Sequence, residues 1–269
     1  MSASLKKVID IIDEIAPFSL AEEWDNPGLQ IGSPDMDISK ILVALDPTME
    51  TLKMAVSVNS QLIITHHPLL FHSISHIDLK SFPGNFINEA IKNNISVIAA
   101  HTNLDNAKMG INQILAIKLG LTDWEILEPK GLNGMAGYGI GIIGYLGEPV
   151  DLYSYAMKVK ECLNTKTVRV TGPDDVRIRC VASVGGSGRD YIAKAKEKGA
   201  DLIVTGDIGH HDALNARALG INVIDAGHFY TERAALTGFI DQIRERLETQ
   251  GIDIMVELYK GEADPVRIL

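Results

Sequence analysis

Cysteine is nearly absent from this chain: only Cys162 and Cys180 occur in 269 residues. Two thiols, both remote in sequence from the histidine clusters, supply neither a disulfide framework nor a thiolate metal site, and they suit a reducing cytosol. Positive charge is also scarce. Twenty-five Lys and Arg face 35 Asp and Glu, for a net charge of −10 and a pI near 5.2. That argues against nucleic acid as a partner, since such proteins normally carry a basic patch. No apolar run approaches the roughly 20 residues of a membrane span. The first apolar stretch is broken by charges, unlike a signal peptide, so the reading predicts a cytoplasmic protein with no membrane partner. What is plentiful is apolar residue, 46% of the chain, enough for a full core in one large domain or two smaller ones.

The most informative stretch is Gln61-Leu-Ile-Ile-Thr-His-His-Pro68. Its apolar run reads as a strand buried on both faces, stopped by Pro68. Adjacent side chains on a strand point to opposite faces, so His66 and His67 could serve two neighbouring metal ions. A structural, hydrogen-bonded histidine pair is the alternative. Open α/β sheets bind ligands beyond the carboxyl ends of their strands, where this pair falls.

The same pattern recurs as Asp201-Leu-Ile-Val-Thr205. Upstream lie Ile41–Asp46 with a helical stretch Thr48–Ser60, and Cys180–Val184 with a helical stretch Arg189–Lys198. Downstream lie Ile95–His101 and Ile221–Gly227. Each half reads strand, helix, strand, helix, strand, as in a duplicated unit. The predicted fold class is α/β: two similar units related by a pseudo-twofold, with mostly parallel sheets flanked by helices. The first unit is expected over 1–127, with 240–269 packing back on it, and the second over 128–239. The polar residues cluster at equivalent strand ends: His66 and His67, His101 to Asp105, Gly206-Asp207, and His228 to Glu232. A site where the halves meet would collect them all.

Elsewhere, Leu5, Val8, Ile9, Ile12 and Ile15 define one face of a helix over 4–16, capped by Ser4 and ended by Pro17. Trp24 is expected to anchor the core. Asp25 and Asn26 suit turn chemistry, or reach the site from the side. Phe71–Asn85, with His72 and His76, reads as a mobile surface segment. The middle, Glu128–Gly147, is glycine-rich. Its Gly139-Ile-Gly-Ile-Ile-Gly144 matches G-x-G-x-x-G but lies in a strand-like run with no helix start after it, so a dinucleotide site is rejected. Gly185-Gly-Ser-Gly188 is either an anion cradle or a tight turn. A long final helix is expected from Phe229 to about Glu248. His228 and Glu232 share its face as i and i+4 if it begins by His228.

His66, His67, Asp105, His228 and Glu232 are therefore candidate metal ligands. Imidazole with carboxylate suits zinc, iron, manganese, cobalt or nickel, and the lack of cysteine weighs against a closed structural zinc site. Five ligands on two ions leave positions open. A carboxylate can bridge ions about 3.5–4 Å apart and acidify a water between them, which is hydrolytic chemistry. Glu232 or His101 could then move protons.

At these residues the chain resembles the Nif-three-like (NGG-one-interacting-factor-three-like) dinuclear metal-centre family, whose bacterial members are often labelled GTP cyclohydrolase 1 type 2 homologues. The resemblance rests on Trp24-Asp-Asn26 with Gly28-Leu29, Thr65-His-His-Pro68, His101-Thr-Asn-Leu-Asp105, Gly185–Gly188, Thr205-Gly-Asp207 with His211, and Gly227-His228 with Thr231-Glu232. It implies two divalent ions per subunit, His67 and Asp105 on one, His66 and His228 on the other, and Glu232 bridging. His101 would lie close by, and His211 would line the pocket. It also implies a homohexamer and ring-opening hydrolysis of a nucleotide. Where many members carry an arginine in the glycine-rich strand, this chain has Ile142, which weakens the nucleotide reading. A metal store, chaperone or regulatory scaffold would need the same ligands and no substrate pocket.

Overall fold

The computed structural model describes residues 2–131 and 137–268, so residues 132–136 of the glycine-rich middle lie outside the described residues. The chain forms two compact units, Met1–Ala107 with Leu236–Ala263, and Lys108–Ala235 with Asp264–Leu269.

The first unit is built on a five-stranded sheet. Its strands run in the order Met255–Leu258, Lys40–Ala44, Leu62–Thr65, Ser96–Ala99 and Gly28–Ile31. The first three pairings are parallel and the last is antiparallel. Leu42, Ala44, Ile63 and Val97 pack against Leu52 and Ala55 of the helix Met49–Ser57 and Phe86 and Ile87 of the helix Gly84–Lys92. Their strand neighbours Ile41, Val43, Leu62, Ile64 and Ile98 are buried as well. Burial on both sides explains why these strands are apolar throughout rather than alternating. Each such side chain contributes roughly 1.5–3 kcal/mol. The register pairs Ala44 with Thr65 and Thr65 with Ala99. The three strands therefore end level, and Asp46, His66, His67 and His101 leave one edge of the sheet together.

The helix Leu5–Ile15 is capped by the Ser4 hydroxyl, which accepts from the Lys7 N–H at 3.3 Å. Its buried face is Leu5, Val8, Ile11, Ile12 and Ile15; Ile11 takes the place expected for Ile9. It packs on the helix Leu236–Thr249.

The second unit holds a six-stranded sheet in the order Thr122–Pro129, Gly139–Asp151, Arg177–Ser187, Leu202–Gly206, Asn222–Asp225 and Arg169–Thr171. The central pairings are parallel and the flanking ones antiparallel. The strand-helix-strand-helix-strand core of the first unit recurs here, through the helices Ile192–Glu197 and His210–Leu219. Its registers match too: Thr205 pairs with Asp225 as Thr65 pairs with Ala99. The G-x-G-x-x-G stretch lies inside the strand Gly139–Asp151, and Ile142 is wholly buried there.

Two boundaries differ from the sequence reading. The first unit ends at Ala107 rather than 127. The reason is that Leu115, Ala116 and Leu119 of the helix Ile111–Leu119 pack with Ile142, Val181 and Val204, and Thr122–Pro129 pairs with Gly139–Asp151. The single final helix is two, His228–Arg233 and Leu236–Thr249. Thr231 and Glu232 are buried in the second unit, whereas Leu236, Phe239, Ile240 and Ile243 belong to the first. The break at Ala234-Ala235 lets each part serve its own unit, and the return to the first unit begins at Leu236 rather than 240. Among the described residues no helix is long and apolar enough to cross a membrane.

Candidate metal centre

In the first unit His66 and His67 follow the strand Leu62–Thr65, and His101 follows Ser96–Ala99. Parallel neighbouring strands that end level bring the three imidazoles together. Ring centroids are 5.1 Å apart for His66 and His67, 5.2 Å for His66 and His101, and 5.4 Å for His67 and His101. One ligand nitrogen from each lies within 4.8 Å of the others. Asp105 stands on the short helix Thr102–Asn106, one turn after His101, with Oδ1 3.6 Å from His66 Nε2.

The orientation of each ring is fixed from behind. His66 Nδ1 donates to the Ala100 carbonyl at 2.8 Å. His67 Nδ1 donates to Asp46 Oδ1 at 2.8 Å, and His101 Nδ1 to Asp25 Oδ1 at 2.8 Å. A carbonyl or carboxylate partner places the proton on Nδ1 and the lone pair on Nε2, the arrangement that metal-bound histidines show almost without exception. Asp46 is itself held, because Glu262 Oε1 accepts the N–H groups of Leu45 and Asp46 at 2.7 and 2.9 Å.

Asp25 is more than a turn residue. Its side chain is fully buried and accepts from His101, from the Thr102 N–H at 3.0 Å and from the Thr102 hydroxyl. Burial alone would raise its pKa. The hydrogen bonds from His101 and Thr102, with the charge on His101, outweigh that and hold the carboxyl down to about 2. Trp24, expected in the core, is 58% exposed and lies beside His101.

The second unit repeats the device. His228 opens the helix His228–Arg233, and its Nδ1 donates to Asp207 Oδ2 at 2.7 Å. Its Nε2 is 3.1 Å from Oε1 of Glu232, one turn on and buried. Asp207 takes a left-handed φ of 57°, which Asp tolerates better than most residues and which is common at functional sites. Glu232 is backed by Gly186, with φ of +64°. A Cβ there would stand 2.2 Å from Glu232 Oε1 and 3.2 Å from His228 Nε2. Only glycine lets the strand end approach this closely.

The glycine loop is not an anion cradle. Its N–H groups are committed internally: Gly185 to Asn112 Oδ1, Gly186 to the Thr231 hydroxyl and Gly188 to the Thr205 hydroxyl, at 2.8–3.0 Å. His72, His76, His210 and His211 are exposed. Cys162 and Cys180 have thiol pKa values pushed up by burial, which keeps them protonated.

The residues present fit a divalent ion: imidazoles with fixed tautomers and buried or half-buried carboxylates within each unit. Sequence reasoning singled out His66, His67, His101, Asp105, His228 and Glu232 as candidates, which the structure groups within the two units, but missed Asp46 and Asp207 as orienting groups. Asp46 comes two residues after the strand Lys40–Ala44 and Asp207 directly after Leu202–Gly206, and asking what each histidine's second nitrogen bonds to would have found them.

Known proteins resemble this chain along almost its whole length. The chain is 36% identical to the GTP cyclohydrolase 1 type 2 homolog of Clostridium acetobutylicum, over 99% of both chains. It is 37% identical to the protein of that name from Clostridium perfringens, over 98% of this chain and 99% of the other. Among solved structures, a Bacillus cereus protein related to NIF3 superposes with a TM-score of 0.95 at 28% identity, covering 99% of each. Residues 3–265 match the family described as Duf34/NIF3 (NGG1p interacting factor 3), and the chain belongs to that family.

Proposed function

We propose that the protein binds two divalent metal ions and is a metal-dependent hydrolase acting on a small nucleotide-like molecule. The ligands are His66, His67 and Asp105 of the first unit and His228 and Glu232 of the second. The observation that supports this best is the tethering of His66, His67, His101 and His228 through Nδ1 to a carboxylate or carbonyl. A merely structural histidine has no need of such uniform orientation.

Divalent ions would supply Lewis acidity and lower the pKa of water toward neutrality. The protein's share is positioning and proton transfer. Asp25 fixes the tautomer and angle of His101, which suits it to pass a proton to or from a bound molecule. Glu232, buried and backed by Gly186, is the second candidate for moving a proton. The proposed substrate class follows the name of the relatives, GTP cyclohydrolase 1 type 2 homolog, and the proposed reaction is hydrolytic ring opening. The same reading carries a homohexamer in the cytoplasm.

The test is turnover by metal-loaded protein on GTP and a panel of phosphoesters, with His101→Ala and Glu232→Gln as controls. Hydrolysis abolished in both variants supports the reading. Tightly held ions with no turnover of any substrate would leave a metal-binding scaffold and refute the hydrolase.

A further inference from the structure

Large exposed aromatic side chains are costly in water and, where they cluster beside polar groups that converge, they mark binding surfaces. The first unit has one such cluster. Trp24 and Phe71 are 58% and 40% exposed. Their ring centroids are 5.6 Å apart with planes inclined by 35°. Both meet the edge of His101, at 6.0 and 5.9 Å, in T-shaped contacts. His101 in turn touches His66 and His67.

The two rings are held in place by polar ties on the residues next to them. Asn26 donates its side-chain amide to the Leu70 carbonyl at 2.6 Å, and Gln30 Oε1 accepts the Leu70 N–H at 3.0 Å. The Asn26 carbonyl accepts from the Gln30 amide at 2.8 Å. Asp25, directly after Trp24, is locked to His101 and Thr102. The backbones under Trp24 and Phe71 are thus cross-tied, although 44 positions separate Asn26 from Leu70. Anchoring exposed aromatic rings so firmly has no value to the core. It does lower the ordering cost of binding something flat.

We propose that Trp24 and Phe71 form a stacking platform for a planar heteroaromatic ring of the ligand, placing its edge at His101. The inference rests on the histidine cluster being the reacting site and names the class of ligand that site takes: a molecule bearing a flat, fused heteroaromatic ring. The ring lies on the outer face of the pair, because a sandwich between two rings needs about 7 Å and 5.6 Å is available. Stacking ignores the substituent pattern of the heterocycle, so discrimination among rings falls to other groups. Trp24 and Phe71 are binding residues, and His101 is the group they deliver the ring to.

The experiment is calorimetric titration of guanosine, adenosine, pterin and riboflavin into wild type, Trp24→Ala, Trp24→Phe and Phe71→Ala, each with and without bound metal. Ribose is the ring-free control, and circular dichroism checks folding. At least one heterocycle should bind wild type while ribose does not. Trp24→Ala should weaken that binding by about 5- to 150-fold, the range for loss of one base–aromatic stack, and Trp24→Phe should retain most of it. Failure of all four rings to bind overturns the proposal, as does an affinity unchanged by Trp24→Ala and Phe71→Ala. So does a change in sedimentation of these variants with ring binding intact, which would assign the pair to a subunit contact. Ring binding that depends on Trp24 in a protein that hydrolyses nothing would refute the hydrolase alone.

Discussion

Asp25 offers a quantitative handle on the first unit. An ordinary Asp carboxyl titrates near 3.8, and this one is held down to about 2. The difference, at about 1.36 kcal/mol per pH unit, corresponds to roughly 2.5 kcal/mol. The residue as a whole is half-buried, so solvent screening reduces this figure. Part of the depression comes from charge on His101, so the figure is an upper bound. The sign follows from linkage: a carboxyl with a lowered folded pKa stabilises the fold above its unfolded pKa. That stability is fully present above about pH 4 and disappears as pH falls through about 2. Replacing Asp25 by Asn keeps the shape and removes the charge. Urea unfolding followed by circular dichroism, at pH values from 7 to 2, should show the variant less stable by about 2 kcal/mol at pH 6, with the gap closing between pH 4 and 2. Equal stability at pH 6, or a gap that persists at pH 2, would refute the assigned hydrogen-bond network.

Three further outcomes follow from the same geometry. Asp46→Asn and Asp207→Asn should each weaken metal binding by about 10- to 100-fold while leaving the far-ultraviolet spectrum unchanged, because each loses only the carboxylate charge behind one imidazole; competition with a chelating dye measures this. Gly186→Ala should lower the thermal midpoint and metal affinity together, since the new Cβ meets Glu232 Oε1 at 2.2 Å and a left-handed φ costs about 1–2 kcal/mol for a non-glycine residue. Cys162 and Cys180 should react with iodoacetamide at pH 7 far more slowly than free cysteine, as burial pushes both thiol pKa values up.

The core of the fold was readable because its signal is local. Leu62–Ile64 and Leu202–Val204 are apolar runs between turn residues, and a strand buried on both faces has no other way to look. His66 and His67, at the end of the first run, were readable for the same reason. What escaped was non-local. Whether the helix Ile111–Leu119 joined the first or second unit depended on which sheet Leu115 and Leu119 would meet, and nothing near them in sequence says so. Trp24 was misplaced because a large aromatic is usually buried, and its exposure is fixed by ties from Asp25 and Asn26 to residues far along the chain. Asp46 and Asp207 look like ordinary strand-end carboxylates until their partners, 21 residues on in both cases, are known.

The most direct test is the metal content of protein purified without added metal and without a histidine tag, by elemental analysis, for wild type, His66→Ala and Glu232→Ala. About two divalent ions per chain, falling sharply in both variants, is the predicted result. A wild-type chain that takes up no metal even after reconstitution would contradict it and return the tethered histidines to a structural role.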